Sequence, residues 1–327
     1  GNLTGANGFG HLTVNKTGGI VSTSQDVDVK GVYTASTPTS SFNLNGKKMK
    51  SGSHFQNYGI YTPSGGTVEF NGSTGQNYYN FGQLEKVIMN HTGPGVTLQT
   101  SMEVNTTGTL TLTAGRIITG AFEVKVFNRA PAAVTTGNAT SFVQGNLRRY
   151  LNATGSYDFP VGEATKGYQR ANMNFAYPGA PTGIDNLLTY FVPYGAIPAP
   201  LGVTDCGGVL FSSNALNNGK WSFIASNNPT SGNYDLTLYN NNFTNAANAW
   251  TIMSNNGSGW ALANGTCVVS PATAVRRNNM NGMFDFGTAQ GPSALPVGLL
   301  NFAATNENNY ILLNWSTAYE KDNSGFI

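Results

Sequence analysis

The sequence predicts an all-β protein in three parts. Residues 1–144 read as a parallel β-helix (solenoid)-like repeat region, and 145–291 as a β-sandwich or jelly roll. Residues 292–327 read as the first strands of an incomplete immunoglobulin/fibronectin-type domain, or as strands that pair with another subunit. Three observations carry this. Apolar side chains recur at every second position in short runs, glycine and asparagine punctuate nearly every run, and no convincing helical period exceeds two turns. At 327 residues the chain is long enough for two or three cores.

In the first part, Leu12 and Val14 alternate with polar neighbours, as do Val68 and Phe70, Val96 and Leu98, Leu110 and Leu112, and Phe122, Val124 and Val126. Each run offers one face to a core and one to water. Gly18-Gly19, Gly65-Gly66, Asn71-Gly72 and Ala114-Gly115 separate them. An internal echo matches Leu12 to Gly19 with Val87 to Pro94, each preceded at similar spacing by Phe-Gly (Phe9-Gly10 and Phe81-Gly82). Self-similarity with coils of about 20 residues suggests stacked repeats that share one continuous core. A right-handed parallel β-helix is the expected form, with an irregular β-sandwich as the alternative.

Around Gly145 the runs lengthen and turn aromatic: Leu187 to Val192, Trp221 to Ala225, Tyr234 to Tyr239, Trp250 to Met253, Trp260 to Leu262 and Met283 to Phe286. Proline-rich links between them suit an antiparallel sandwich. After Gln290-Gly291-Pro292, Leu299 to Ala304 and Tyr310 to Trp315 make two strands, the second with a buried-tryptophan pattern. Two strands do not make a domain. Leu299, Phe302, Leu312, Leu313 and Trp315 are therefore the candidates for inter-subunit pairing.

Composition narrows the function. Charged residues are only 10% of the chain, and polarity comes from Asn, Thr, Ser and 41 Gly. With 18 Phe, 15 Tyr and 4 Trp, disorder is excluded. A net charge of +2 is too mild for a nucleic-acid partner. Lys47-Lys48-Met49-Lys50, Arg148-Arg149 and Arg276-Arg277 read as solvated turns or strand edges. No apolar run reaches the roughly 18 residues of a membrane span. The chain opens at Gly1, which reads as a processed or excised piece. Cys206 and Cys267 are expected to form a disulfide, provided the protein is exported to an oxidising compartment.

Chemistry is sparse. Asp26 and Asp28 share one side of a strand but read as a solvated face, and Glu320 and Asp322 as a surface loop. His11, His54 and His91 are far apart in sequence, and His11 and His91 read as exposed coil positions. No spacing gathers three or four zinc ligands, no nucleophile elbow occurs, and the glycine-rich runs lack the helix and lysine of a phosphate loop. No catalytic, cofactor or metal site is therefore expected. The row Thr109-Leu110-Thr111-Leu112-Thr113 reflects β-propensity, since no second coil repeats it fully. Asn77 to Phe81 and Tyr190 to Tyr194 are aromatic runs expected in the core, with sugar stacking as the alternative.

Leu295-Pro296-Val297-Gly298-Leu299-Leu300-Asn301-Phe302, followed by Leu313-Asn314-Trp315-Ser316-Thr317-Ala318-Tyr319-Glu320, resembles a recurring module of Bacteroidetes surface proteins exported by the type IX secretion system. Tyr157-Asp158-Phe159-Pro160-Val161-Gly162 resembles the element that follows their solenoid regions. The resemblance implies a cell-surface or secreted location and roles in adhesion, gliding or matrix assembly. It also implies that the rest of the last sandwich and any sorting domain are missing after Ile327.

The expected function is thus that of a non-enzymatic, extracellular structural or adhesive surface protein without a cofactor. It would form a stalk or a self-assembling filament or surface layer through β-strand packing. Its partners would be further copies of itself or surface glycans. The alternative is a carbohydrate-binding accessory region of a secreted hydrolase.

Overall fold

The computed structural model describes the strand Asn2–Leu3 and residues 8–152, 154–175, 183–193, 202–206, 209–211, 219–227, 232–241, 250–270, 273–290, 299–307 and 310–317. The chain is 62% strand and about 1% helix, and among the described residues no helical layer covers the sheets. The N-terminal region is a β-solenoid of about 7 turns, as its alternating runs predict.

Each coil visits three faces in turn. On the first face the inward side chains Leu12, Tyr33, Phe55, Tyr78 and Leu98 stack in parallel register, 20 to 23 residues apart. The second face carries Val21, Phe42 and Tyr61, and later Leu84, Val104, Val126 and Arg149. The third carries Val27, Met49, Val68, Val87 and Leu110. A coil is about as wide as three short strands and cannot enclose a core alone, so stacking supplies burial. Phe55 stacks on Tyr78 with ring centroids 5.6 Å apart and sits 4.8 Å from Tyr33. Fully burying one such ring contributes about 1.5–3 kcal/mol.

The sequence echo does not mark the structural repeat. Leu12 lies on the first face beside Tyr33, whereas Val87 lies on the third between Val68 and Leu110. What repeats is burial at a register position, and Leu, Tyr and Phe satisfy it equally. Corners are held by buried amides. Asn57 Nδ2 donates to Asn80 Oδ1 at 2.7 Å, and Asn80 Nδ2 donates to Gly82 O at 2.7 Å. His91, expected to be exposed, is 1% exposed, with its Nε2 2.9 Å from Thr74 O and its Nδ1 accepting from Gly93 N. The outward threonines Thr109 and Thr111 stand beside Lys86 and Ile88, so no threonine rank forms.

The ladders run through the expected boundary at residue 144. Strand Val143–Tyr150 pairs in parallel with Ile117–Val126 and, over residues 147–150, antiparallel with Asn186–Pro193. From the first face an antiparallel sheet continues through Ser156–Glu163, Gly167–Asn174, Tyr234–Leu238, Val275–Met280 and Thr266–Val268. From the second face another continues through Asn186–Pro193, Gly219–Ala225, Asp285–Gln290, Trp250–Asn255 and Trp260–Leu262. Side chains join the two: Phe159 meets Phe223 edge-on at 5.5 Å, and Trp221 Nε1 donates to Gln169 O at 3.0 Å. One apolar cluster extends from Leu12 to Phe286.

Two arginines expected at the surface are buried, and each closes a set of backbone carbonyls. Arg149 occupies the core row after Val126 and donates to Asp158 O (2.8 Å), Ala130 O (3.1 Å) and Pro131 O (2.9 Å). Its guanidinium lies 5.0 Å over the Tyr157 ring, and burial lowers its pKa to about 10. Arg277 donates to Asp205, to Thr251 Oγ1 (3.0 Å), Asn264 O (2.7 Å) and Gly265 O (3.2 Å). A buried carbonyl needs a donor, and a planar guanidinium fork answers several at once.

Candidate functional site

A cleft of about 420 Å³ opens on the outer side of the second face. Alternation places its side chains. In strand Ile117–Val126 and its neighbour Val143–Tyr150, Val124, Val126, Leu147 and Arg149 point inward, so Glu123, Lys125, Arg148 and Tyr150 point outward. Phe127 follows Val126, and its ring lies 4.6 Å from that of Tyr150. Ser101, Ala121 and Asn186 complete the lining.

A corner loop raises one wall. Residues 119–122 stand opposite the single Gly145, so three extra residues bulge outward with Ala121 exposed. Gly145 has φ +117°, and a Cβ there would lie 2.1 Å from Thr119 Oγ1. Only glycine lets the corner close.

The cleft's charges are committed to one another. Arg148 grips Glu123 through Nε (2.8 Å) and Nη2 (2.9 Å), while its Nη1 donates to Asn186 Oδ1 at 2.7 Å. Lys125 Nζ binds Glu103 at 3.2 Å. The bonds from Arg148 hold the Glu123 carboxyl below the usual carboxylate range. It is therefore an acceptor at neutral pH and not a proton donor. On the third face, burial works to raise the Glu69 carboxyl, but bonds from Asn90 and Lys48 overcome it and leave it lowered. Neither carboxylate is tuned for general-acid chemistry.

The expected disulfide Cys206–Cys267 is present, with Cα atoms 5.2 Å apart. It borders a second cleft of about 360 Å³ lined by Asp205, Gly265, Thr266 and Val269. Asp205, Cys206 and Cys267 are the one grouping of metal-ligand residue types among the described residues, but the sulfurs are bonded to each other and Asp205 is held by Arg277 and Thr251. His11 and His54 do the same work two coils apart, their Nδ1 atoms accepting from Val32 N (3.0 Å) and Asn77 N (2.9 Å). Asp26 accepts from Lys48 N at 2.8 Å. Glu320 and Asp322 lie outside the described residues.

Strands Leu299–Glu307 and Tyr310–Thr317 form a two-stranded antiparallel hairpin of their own. Cross-strand pairing puts Phe302, Ile311, Leu313 and Trp315 on one side, and Leu312 on the other. Phe302 is 59% exposed, Ile311 67% and Leu313 47%; Trp315, expected to be buried, is 44% exposed. Of Leu299 only the backbone is described.

No protein family, curated protein or solved structure matches the chain. Among the described residues no helix is long and apolar enough to cross a membrane. The aromatic runs divide: Tyr78 and Phe191 are core residues, while Phe81 is exposed beside Tyr79 at 5.0 Å, and Tyr79 lies 4.6 Å from Tyr58. Tyr194 lies outside the described residues. The cleft itself had no sequence signal, since Phe127 and Tyr150 are 23 residues apart and meet only because one coil separates them.

Proposed function

We propose that this chain is a structural module of an extracellular bacterial surface protein. It acts as a stiff stalk that associates with further copies of itself through the hairpin 299–317. One observation carries the reading: an amphipathic hairpin whose apolar side chains Phe302, Ile311 and Leu313 stand in water. A lone hairpin is marginal in water, so its apolar face calls for a partner sheet. The continuous core from Leu12 to Phe286 supports the stalk, because load on one coil passes to the next through parallel ladders and shared packing. A disulfide accords with export. Delivery by type IX secretion, suggested by the LPV to LNWSTA segment, belongs to the same proposal.

Sedimentation over a dilution series tests it. The wild type is expected to associate as concentration rises. The triple variant Phe302→Ser, Ile311→Ser, Leu313→Ser is expected to stay monomeric with an unchanged melting temperature. A wild type that remains monomeric at every concentration overturns self-association.

A further inference from the structure

We infer that the cleft on the second face is a glycan-binding groove that takes a pyranose unit of an extended saccharide. The site does not depend on self-association, and none of its lining residues belongs to the hairpin.

Its volume, about 420 Å³, falls within the roughly 300–1,000 Å³ usual for small-ligand sites. Its chemistry selects among ligands. Phe127 and Tyr150 pack on each other with rings 4.6 Å apart and tilted 32°, and the Arg129 guanidinium lies 5.6 Å over the Tyr150 ring. The Phe127 ring and the Tyr150 edge are the apolar surface the cleft offers to the C–H face of a sugar ring. Beside it run Glu123, an acceptor-only carboxylate, and Lys125 and Asn186, which carry donors. Hydroxyl groups are donors and acceptors at once, so a row alternating the two matches a polyol.

An anionic ligand such as a phosphate fits less well. Both cations already have carboxylate partners: Arg148 is bound to Glu123 through two nitrogens, and Lys125 is bound to Glu103. A phosphate would have to displace a carboxylate, whereas a neutral hydroxyl adds to the network.

The lining is also pre-formed. Arg148 is fixed between Glu123 and Asn186, and the backbone N–H of Glu123 donates to Ser101 Oγ at 3.3 Å. A strand scaffold that holds these groups in place leaves little side-chain entropy to lose on binding. The cleft crosses neighbouring coils, with the 119–122 corner as one wall.

A glycan array probed with the purified chain, followed by titration with the best neutral oligosaccharide, tests the inference. Binding to at least one class of neutral saccharide is expected. Tyr150→Ala and Phe127→Ala are each expected to weaken it roughly tenfold or more. Ala121→Trp, which fills the cleft from its exposed wall, is expected to abolish it without touching the floor. Val269→Ser, on an exposed site away from the cleft, is expected to leave affinity unchanged. Absence of binding across the array overturns the inference, and so does binding that survives Ala121→Trp. Capture of phosphorylated or sulfated glycans alone also overturns it, because it would make the cleft an anion site. The hairpin variant should bind glycans as the wild type does, so the failure of one reading leaves the other standing.

Discussion

Replacing Arg149 with methionine sets two buried effects against each other. Methionine removes a charge whose pKa burial has lowered from 12.5 to about 10, a relief of roughly 3 kcal/mol. It also deprives Asp158 O, Ala130 O and Pro131 O of their donor. A buried acceptor left unpaired costs about 1–3 kcal/mol, so three cost about 6 at the middle of that range. Losing the cation–π contact with Tyr157 adds about 1 kcal/mol. The orphaned carbonyls win, and Arg149→Met is expected to destabilise the fold by about 3–4 kcal/mol. Arg149→Lys, which keeps the charge but lacks the planar fork, should fall between methionine and wild type. Its neighbour Arg148 is the control: it points outward in a pair with Glu123 whose side chains are 23% and 21% exposed, and Arg148→Met should cost only about 1 kcal/mol. Urea denaturation followed by circular dichroism reads all three. If Arg149→Met is as stable as the wild type, the carbonyls do not need the guanidinium and the account of how the solenoid ends is wrong.

Alkaline pH should unfold the protein cooperatively. Burial raises the phenols of Tyr33, Tyr61, Tyr78 and Tyr234 far above the ordinary value of 10. A raised folded-state pKa gives stability that is complete below pH 10 and lost as pH rises above it, at about 1.4 kcal/mol per phenol per pH unit. Four phenols lose about 5 kcal/mol per unit. Arg149 works in the opposite sense above pH 10, but as one group against four. Tyrosinate absorbance should therefore appear together with loss of the β signal, and gradual ionisation of an intact fold would contradict this. Replacing both cysteines with serine should remove up to about 4 kcal/mol, as expected for a 61-residue separation. Hydrogen exchange should quicken in the sheets around 203–290 and stay slow in the coils around Phe55 and Tyr78, because the bridge touches only the former. Uniform loss of protection would show instead that solenoid and sheets open as one unit.

Much of the fold was legible because a strand's alternation is written in adjacent residues. Leu12-Thr13-Val14, Val68-Glu69-Phe70 and Val124-Lys125-Val126 declare their inner faces without reference to anything distant. The glycines and asparagines between them mark corners for equally local reasons. Two cysteines in a charge-poor chain sufficed to propose a bridge. The hairpin strands were legible for the same reason, but not the exposure of their apolar face, which depends on what else packs there.

What the sequence by itself determined is therefore the element type and the inward side of each element, properties fixed by neighbours one or two positions away. Only the tertiary structure decided which coil positions align, that Leu12 and Val87 lie on different faces, and that Arg149 and Arg277 are core residues. It also decided that Phe127 and Tyr150 meet at one cleft. Those outcomes depend on register between coils some 20 residues apart and on carbonyls left open where the coils end. A guanidinium is buried when backbone acceptors converge on it, and no local pattern announces where that will happen.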